Sequence, residues 1–378
     1  MRILVAPDSF KGSLSARQAA QAIARGVSRA CPDCQVRQLP IADGGEGTLD
    51  ALLAGAGGRD LQVTVRGPLG DPVTAHLGIL QNGNIAVVEM AQASGLTLIP
   101  AEQRNPLLTS SFGTGELIRA ALDHGCREIV VTIGGSATVD GGMGMLAALG
   151  ARFLDQGGVE LEPIGQSLPE VATVDLAQFD PRLAQCSVRI ASDVTNPLCG
   201  PLGAAPVFGP QKGATPEMVA YLARGLERFA VATERATGFQ VATLPGAGAA
   251  GGVGAALMSY ARGQMNSGVQ VVLDTLDVDQ YLRDTDLIIT GEGRMDGQTA
   301  QGKAPTGIAK RGLRYGCKTI ALVGSIAPGY EAVYEQGISA VFPIVNRPMT
   351  LDQAMAEAAI LLTDCAARVV HGYLELGK

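Results

Sequence analysis

Two strand–loop–helix units open this chain and three close it, but the stretch between them begins with alternation of period two. Strands buried on both faces of a parallel sheet read as continuous apolar runs. Period-two alternation marks antiparallel strands with one wetter face. The opening runs are "RILVA" at 2–6 and "VRQLPI" at 36–41, and the closing runs are "DLIITG", "KTIALVG" and "AVFPIV" from residue 286 onward. Joined, they predict one five-stranded parallel sheet in a doubly wound domain. "LQVTVRG", "VTAHLGIL" and "IAVVEM" predict an antiparallel meander, with Asn82-Gly83 as the hairpin signal between the last two. The chain therefore reads as α/β with two domains. Residues 1–60 and 275–378 form a parallel-sheet domain split in sequence, and 61–274 form an inserted α/β domain with a mixed, partly antiparallel sheet.

Ser15 and Gln18 have the spacing of a capping box, which predicts a helix to about residue 30. Further strands are expected near 128–133 and 188–192, and helices at 112–124, 141–150, 216–235 and 249–262. The 378 residues include 50 glycines, against a usual share of about 7%. No collagen-like period accounts for them, so they belong in turns and close backbone approaches.

A net charge of −7 leaves no basic footprint for nucleic acid. "MRILVAPDSF" has too short an apolar run for a signal peptide, and the longest uncharged stretch, 236–261, contains Pro245 and many glycines, so no membrane span is expected. Seven cysteines in a chain with this start point to a reducing, cytoplasmic setting. Cys31 and Cys34 have CxxC spacing, but they follow a helix instead of opening one, so neither redox nor metal use is expected of them.

Chemistry-bearing residues gather at glycine-rich junctions. "TIGGSATVDGGMG", 132–144, lies between a strand and a helix, where Gly134, Gly135 and Ser136 can offer N–H groups and a hydroxyl to an anion. "GQTAQGKA", 297–304, has P-loop spacing but places Ala304 where magnesium needs a hydroxyl, so it is not a Walker A, although Lys303 remains available to a ligand. "GAGAAG", 246–251, with Asp274 beyond it, has the outline of a dinucleotide fingerprint, and an oxidoreductase is the alternative of another class. Pro245 interrupts the junction that fingerprint requires. Asp8, Asp43, Glu46, Asp140, Asp193, Glu292 and Asp296 are expected in loops at element ends, where carboxylates suit magnesium or a substrate hydroxyl. Lys11, Lys212, Arg294 and Lys303 stand beside glycine turns and suit a small anion or a transferring phosphoryl group. The three histidines look peripheral, and no Ser-His-Asp arrangement is visible.

"APDSFKGSLSA", "IADGGEGT", "GTGELI", "GGSATVDGGMGM", "DVTNPLCG", "VFGPQKGA", "GAGAAGG" and "TGEGRMDGQTAQGK" stand here in the order in which they occur in bacterial glycerate kinases of the type I family, which the chain resembles from residue 1 to about 370. The resemblance implies ATP-dependent phosphorylation of D-glycerate. It also implies a flavodoxin-like domain split in sequence, a second α/β domain, and a site in the cleft between them. The expected product is 2-phosphoglycerate, with a 3-kinase or a kinase of a related small hydroxy acid as alternatives. A monomer or homodimer is expected.

The residue roles are inferred from chemistry. Asp43 or Asp193 orients or deprotonates the substrate hydroxyl, and Asp8 and Glu292 hold Mg²⁺. Ser9, Lys11 and Arg294 hold the glycerate carboxylate or the γ-phosphoryl group. Gly134, Gly135, Ser136, Gly251, Gly252, Gly291 and Gly293 cradle phosphates with Lys303, and Lys212 stabilises developing charge.

Overall fold

The computed structural model describes residues 1–80 and 83–376. Its contacts divide the chain into two units. One comprises Met1–Asp43, Asp50–Gly57 and Val269–Lys378, the other Gly44–Leu49 and Gly58–Gly268.

The first unit contains the five-stranded parallel sheet. Arg2–Val5 pairs with Gln35–Gln38 on one side and with Leu287–Met295 on the other, followed by Lys318–Ile326 and Ile338–Pro343 at the edge. Counted within the unit this is the order 2-1-3-4-5, the flavodoxin-like arrangement. The three inner strands were legible because their apolar runs are continuous: Ile3, Val5, Ile289 and Leu322 pack with Ile23 and Val27 of the helix Ala16–Ala30. The predicted capping box is present, Ser15 accepting from the Gln18 N–H while the Gln18 side chain accepts from the Ser15 N–H. The helix Ala358–Leu376 packs on the same side, so close that a Cβ on Gly26 would stand 2.2 Å from the carbonyl oxygen of Thr363.

Two strand boundaries differ from expectation. The second strand stops at Gln38, because Pro40 lacks an N–H, although Leu39 and Ile41 still donate to Val5 and Pro7. Leu287–Met295 runs past Thr290, so Gly291, Glu292, Gly293 and Arg294 lie in a strand and not in a loop. Lys318–Ile326 is long enough to pair with it through Met295.

The second unit contains a six-stranded sheet. Its order is Gln264–Asn266, Ser187–Ala191, Glu128–Thr132, Ile85–Glu89, Pro72–Leu80 and Gly58–Arg66. The first four are mutually parallel and the last two antiparallel, as the meander pattern required. Asn82 of the hairpin signal lies outside the described residues. The predicted helices appear as Phe112–Asp123 and Pro216–Thr237. The one expected over 141–150 is shorter, Met143–Ala148, because Gly141 and Gly142 are left-handed at φ 66° and 82°. Likewise 249–262 is not one helix: Ala250, Gly251 and Gly252 have φ of 54°, 67° and 105°, and the α-helix begins at Val253.

Cys31 and Cys34 are joined by a disulfide, contrary to the unused pair expected, because the turn after Ala30 brings their Cα atoms to 5.3 Å. Among the described residues no helix is long and apolar enough to cross a membrane.

Candidate active site

In open α/β sheets ligands lie beyond the carboxyl ends of strands, where the strand order reverses. In the first unit that point lies between Arg2–Val5 and Leu287–Met295. Asp8 follows one strand and Glu292 lies in the other, and the Asp8 N–H donates to the Gly291 carbonyl over 2.9 Å. Burial, then the negative charges of Asp43 and Glu292, push the Asp8 carboxyl up to about 7, against hydrogen bonds from Ser9. The Ser9 N–H donates to Asp8 Oδ1 over 2.6 Å, so Ser9 serves Asp8 in this structure. Burial also raises Glu292 to about 7, opposed by the Thr299 hydroxyl and by Lys303. Thr299 Oγ1 donates to Glu292 Oε1 over 2.6 Å, and Thr306 Oγ1 donates to the Thr299 carbonyl. The structure thus brings Asp8, Asp43 and Glu292 into mutual electrostatic reach.

Lys11 and Arg294 are exposed and rise from touching backbone: a Cβ on Gly293 would lie 3.3 Å from the Lys11 nitrogen. Arg294 Nε stands 3.7 Å from Asp296 Oδ2. Gly291 has a different reason to be glycine from the one expected. A Cβ there would stand 2.0 Å from the Leu322 carbonyl oxygen, so the residue permits strand packing and leaves no open cradle for phosphate.

In the second unit Gly134 and Gly135 are exposed beyond the strand Glu128–Thr132, while Ser136 is buried beside them. Lys212 is buried too, and its Nζ donates to Ser136 Oγ and to the Thr138 carbonyl, both over 2.7 Å. Burial lowers the Lys212 ammonium to about 7, with Asp140 opposing. Asp140 itself is fully buried and accepts from the Ser111 N–H and hydroxyl and from the N–H groups of Gly142 and Gly144. Its position is structural: it folds the Gly141-Gly142 turn and supplies the charge facing Lys212. Gly251 and Gly252 are also buried, and Cβ atoms there would meet the Thr138 carbonyl oxygen at 2.0 Å and the Gly141 Cα at 2.6 Å. They pack one turn against another and are not open to a ligand. Asp193 is exposed past the end of Ser187–Ala191.

The "ADGGEG" loop, expected wholly in the first domain, is divided. Asp43 belongs with the first unit, whereas Gly44–Leu49 belong with the second. A Cβ on Gly134 would find Gly45 Cα at 3.8 Å, so two glycine turns from distant sequence approach each other there. Glu46 is exposed. The acid that serves the following helix, Thr48–Ala56, is Glu89, at 4% exposure, whose Oε1 accepts from the Leu49 N–H over 2.9 Å. Burial raises its carboxyl above the usual range, against this bond and one from Gln92. Sequence reasoning missed Glu89. Its one signal was an acid closing the apolar run "IAVVE".

The dinucleotide outline lacks its framework. No strand leads into 246–251, and Asp274 is paired with Arg311 in the first unit. Among the described residues no group of three or more His, Cys, Asp and Glu is arranged to hold a metal ion unaided. Asp8 and Glu292 nevertheless suit Mg²⁺, which takes one or two carboxylates and completes its shell with water and phosphate oxygens. Partly buried Asp8 and buried Glu292, both raised by desolvation, are a donor pair that a cation would relieve.

Comparison with known proteins agrees with this architecture. The model of the Glycerate kinase family matches residues 3–374. A protein named Glycerate kinase from Bacillus subtilis (strain 168) is 47% identical over 100% of this chain and 99% of its own. One named Glycerate 2-kinase from Escherichia coli (strain K12) is 46% identical over 95% and 94%. A crystal structure from Salmonella typhimurium LT2, assigned there to a glycerate kinase 2, superposes with a TM-score of 0.92 at 45% identity, covering 100% of this chain and 99% of that one. Such a kinase uses a nucleotide phosphoryl donor. The chain belongs to the glycerate kinase family.

Proposed function

We propose that the chain transfers the γ-phosphoryl group of ATP to the 2-hydroxyl of D-glycerate with Mg²⁺, giving 2-phosphoglycerate. The observation that carries this reading is the carboxylate group at the switch point, where Asp43 and Glu292 raise Asp8 and Asp43 raises Glu292. Phosphoryl transfer is mostly positioning and charge stabilisation. Asp8 and Glu292 would hold Mg²⁺, which neutralises phosphate charge when bound. Asp43 accepts the proton of the substrate hydroxyl, with Asp193 as the second candidate for that task. Lys11 and Arg294 take the substrate carboxylate or the γ-phosphoryl group, and Lys303 adds positive charge beside Glu292. Gly134, Gly135 and Ser136 hold phosphate, with Lys212 placing its charge behind Ser136. Because Gly251, Gly252 and Gly291 are occupied by their own chain, they are withdrawn from the cradle.

The test is ADP release followed with ATP, Mg²⁺ and D-glycerate, L-glycerate or lactate in turn. The reading expects release with D-glycerate, and a loss of 100-fold or more in kcat for Asp43→Asn. No D-glycerate-dependent ADP would overturn it. A comparable loss only for Asp193→Asn would move the base to Asp193.

A further inference from the structure

Ser136 and Lys212 form a pair that binding phosphate alone does not require. Lys212 Nζ lies 2.7 Å from Ser136 Oγ and is anchored by the Thr138 carbonyl, also at 2.7 Å. The lysine is 2% exposed and Ser136 7%, with exposed Gly134 and Gly135 preceding the serine. Two neighbouring hydroxyls are committed elsewhere, while Thr138 Oγ1 is buried without a hydrogen-bond partner. Ser111 Oγ donates to Asp140, and Ser94 shares a hydrogen bond with Thr114. Asp140 already accepts four hydrogen bonds, so it is poorly placed to act as a base. A serine hydroxyl in contact with a buried amine is one of the ways proteins make an activated oxygen nucleophile.

We propose that Ser136 is a self-phosphorylation site, which in the absence of a hydroxy acid takes the γ-phosphoryl group of a nucleoside triphosphate with Lys212 as its base. This deepens the ATP reading above and rests on it. In the step, the neutral Lys212 amine accepts the Ser136 hydroxyl proton and becomes an ammonium. The Ser136 Oγ–P bond forms, and the bond from the γ-phosphorus to the bridging oxygen breaks. The nucleoside diphosphate leaves with that electron pair. The product is a phosphoserine beside a charged lysine, an ion pair that fills the turn where a nucleotide phosphate would bind and so slows turnover. Burial favours the amine form of Lys212, and Asp140 is the charged group opposing it.

The full chain is incubated with γ-³²P-labelled ATP and Mg²⁺, with no hydroxy acid, and digested for phosphopeptide mapping. The expected result is label in the peptide containing Ser136, approaching one phosphate per chain, with a rate that rises with pH through about 7 as Lys212 loses its proton. Ser136→Ala and Lys212→Met remove the label, each variant being checked for folding by circular dichroism. Mapping on the unaltered chain decides the case even if a variant does not fold. An unlabelled chain that still turns over D-glycerate overturns the self-phosphorylation alone. Label at Ser136 without D-glycerate turnover supports it while removing the hydroxy acid reading. Absence of both overturns both, and label persisting at another residue in Ser136→Ala overturns the assignment to Ser136.

Discussion

The hydroxyl of Thr299 donates to Oε1 of Glu292 over 2.6 Å, and both residues are buried. This bond holds a carboxylate that desolvation raises to about 7. Hydrogen bonds to charged groups contribute about 1.5–3 kcal/mol. Thr299→Val is therefore expected to lower kcat/KM roughly 10- to 100-fold and to raise the Mg²⁺ concentration needed for half-maximal rate, while Thr299→Ser restores most of both. Steady-state kinetics at several Mg²⁺ concentrations check this. Wild-type values for Thr299→Val would contradict it.

Asp8 links function to stability. Its folded-state carboxyl is raised to about 7 by burial, Asp43 and Glu292, above an unfolded value of about 4. Between these values the folded chain binds more protons, so its contribution to stability is full below about 4 and is lost as pH rises through about 7. Asp8→Asn removes that cost. The variant is expected to melt several degrees above wild type at pH 8, at about 2–4 °C per kcal/mol, with a smaller gain at pH 5, and to lose most activity. Equal melting differences at the two pH values would show that Asp8 is not desolvated as described.

Glu89 and Glu46 separate two possible caps for one helix. Glu89 accepts from the Leu49 N–H in a buried setting, whereas Glu46 is exposed. Leaving a buried donor unpaired costs about 1–3 kcal/mol. Glu89→Ala is expected to destabilise by that amount, and Glu46→Gln to stay within about 0.5 kcal/mol of wild type in urea denaturation. Reversed sizes would make Glu46, and not Glu89, the acid that serves this helix.

Lys212 has the opposite sign to Asp8. Its folded-state value, about 7, lies below the unfolded value of about 10.4, so stability rises with pH between them as the cost of burying a charge fades. Lys212→Met is expected to flatten this rise in melting temperature between pH 7 and 9. A slope unchanged by the substitution would place the lysine's charge in solvent.

The sheet of the first unit was legible because its inner strands are continuous apolar runs, although the edge strand Gln35–Gln38 is mostly polar, and the meander because its strands alternate. What escaped was what depends on contacts between distant residues. Glycines alone could not distinguish an exposed turn at Gly134 from backbone packed on backbone at Gly251, Gly252 and Gly291. The glycines flanking Glu292 predict a loop, but the long partner strand Lys318–Ile326 keeps the backbone extended there. In sequence Asp140 looks like the other candidate ligand acids, and only the fold shows four donors already on it. Asp8, Asp43 and Glu292 come within electrostatic reach of one another because acids at the carboxyl ends of parallel strands converge where the strand order reverses.

The most direct measurement is the identity of the product. The enzyme is incubated with D-glycerate, ATP and Mg²⁺, and product is followed with enolase, which acts on 2-phosphoglycerate, with phosphoglycerate mutase left out. The account predicts an enolase signal that starts at once and keeps pace with ADP release. ADP release with no enolase signal until mutase is added would mean transfer to the 3-hydroxyl and contradict it.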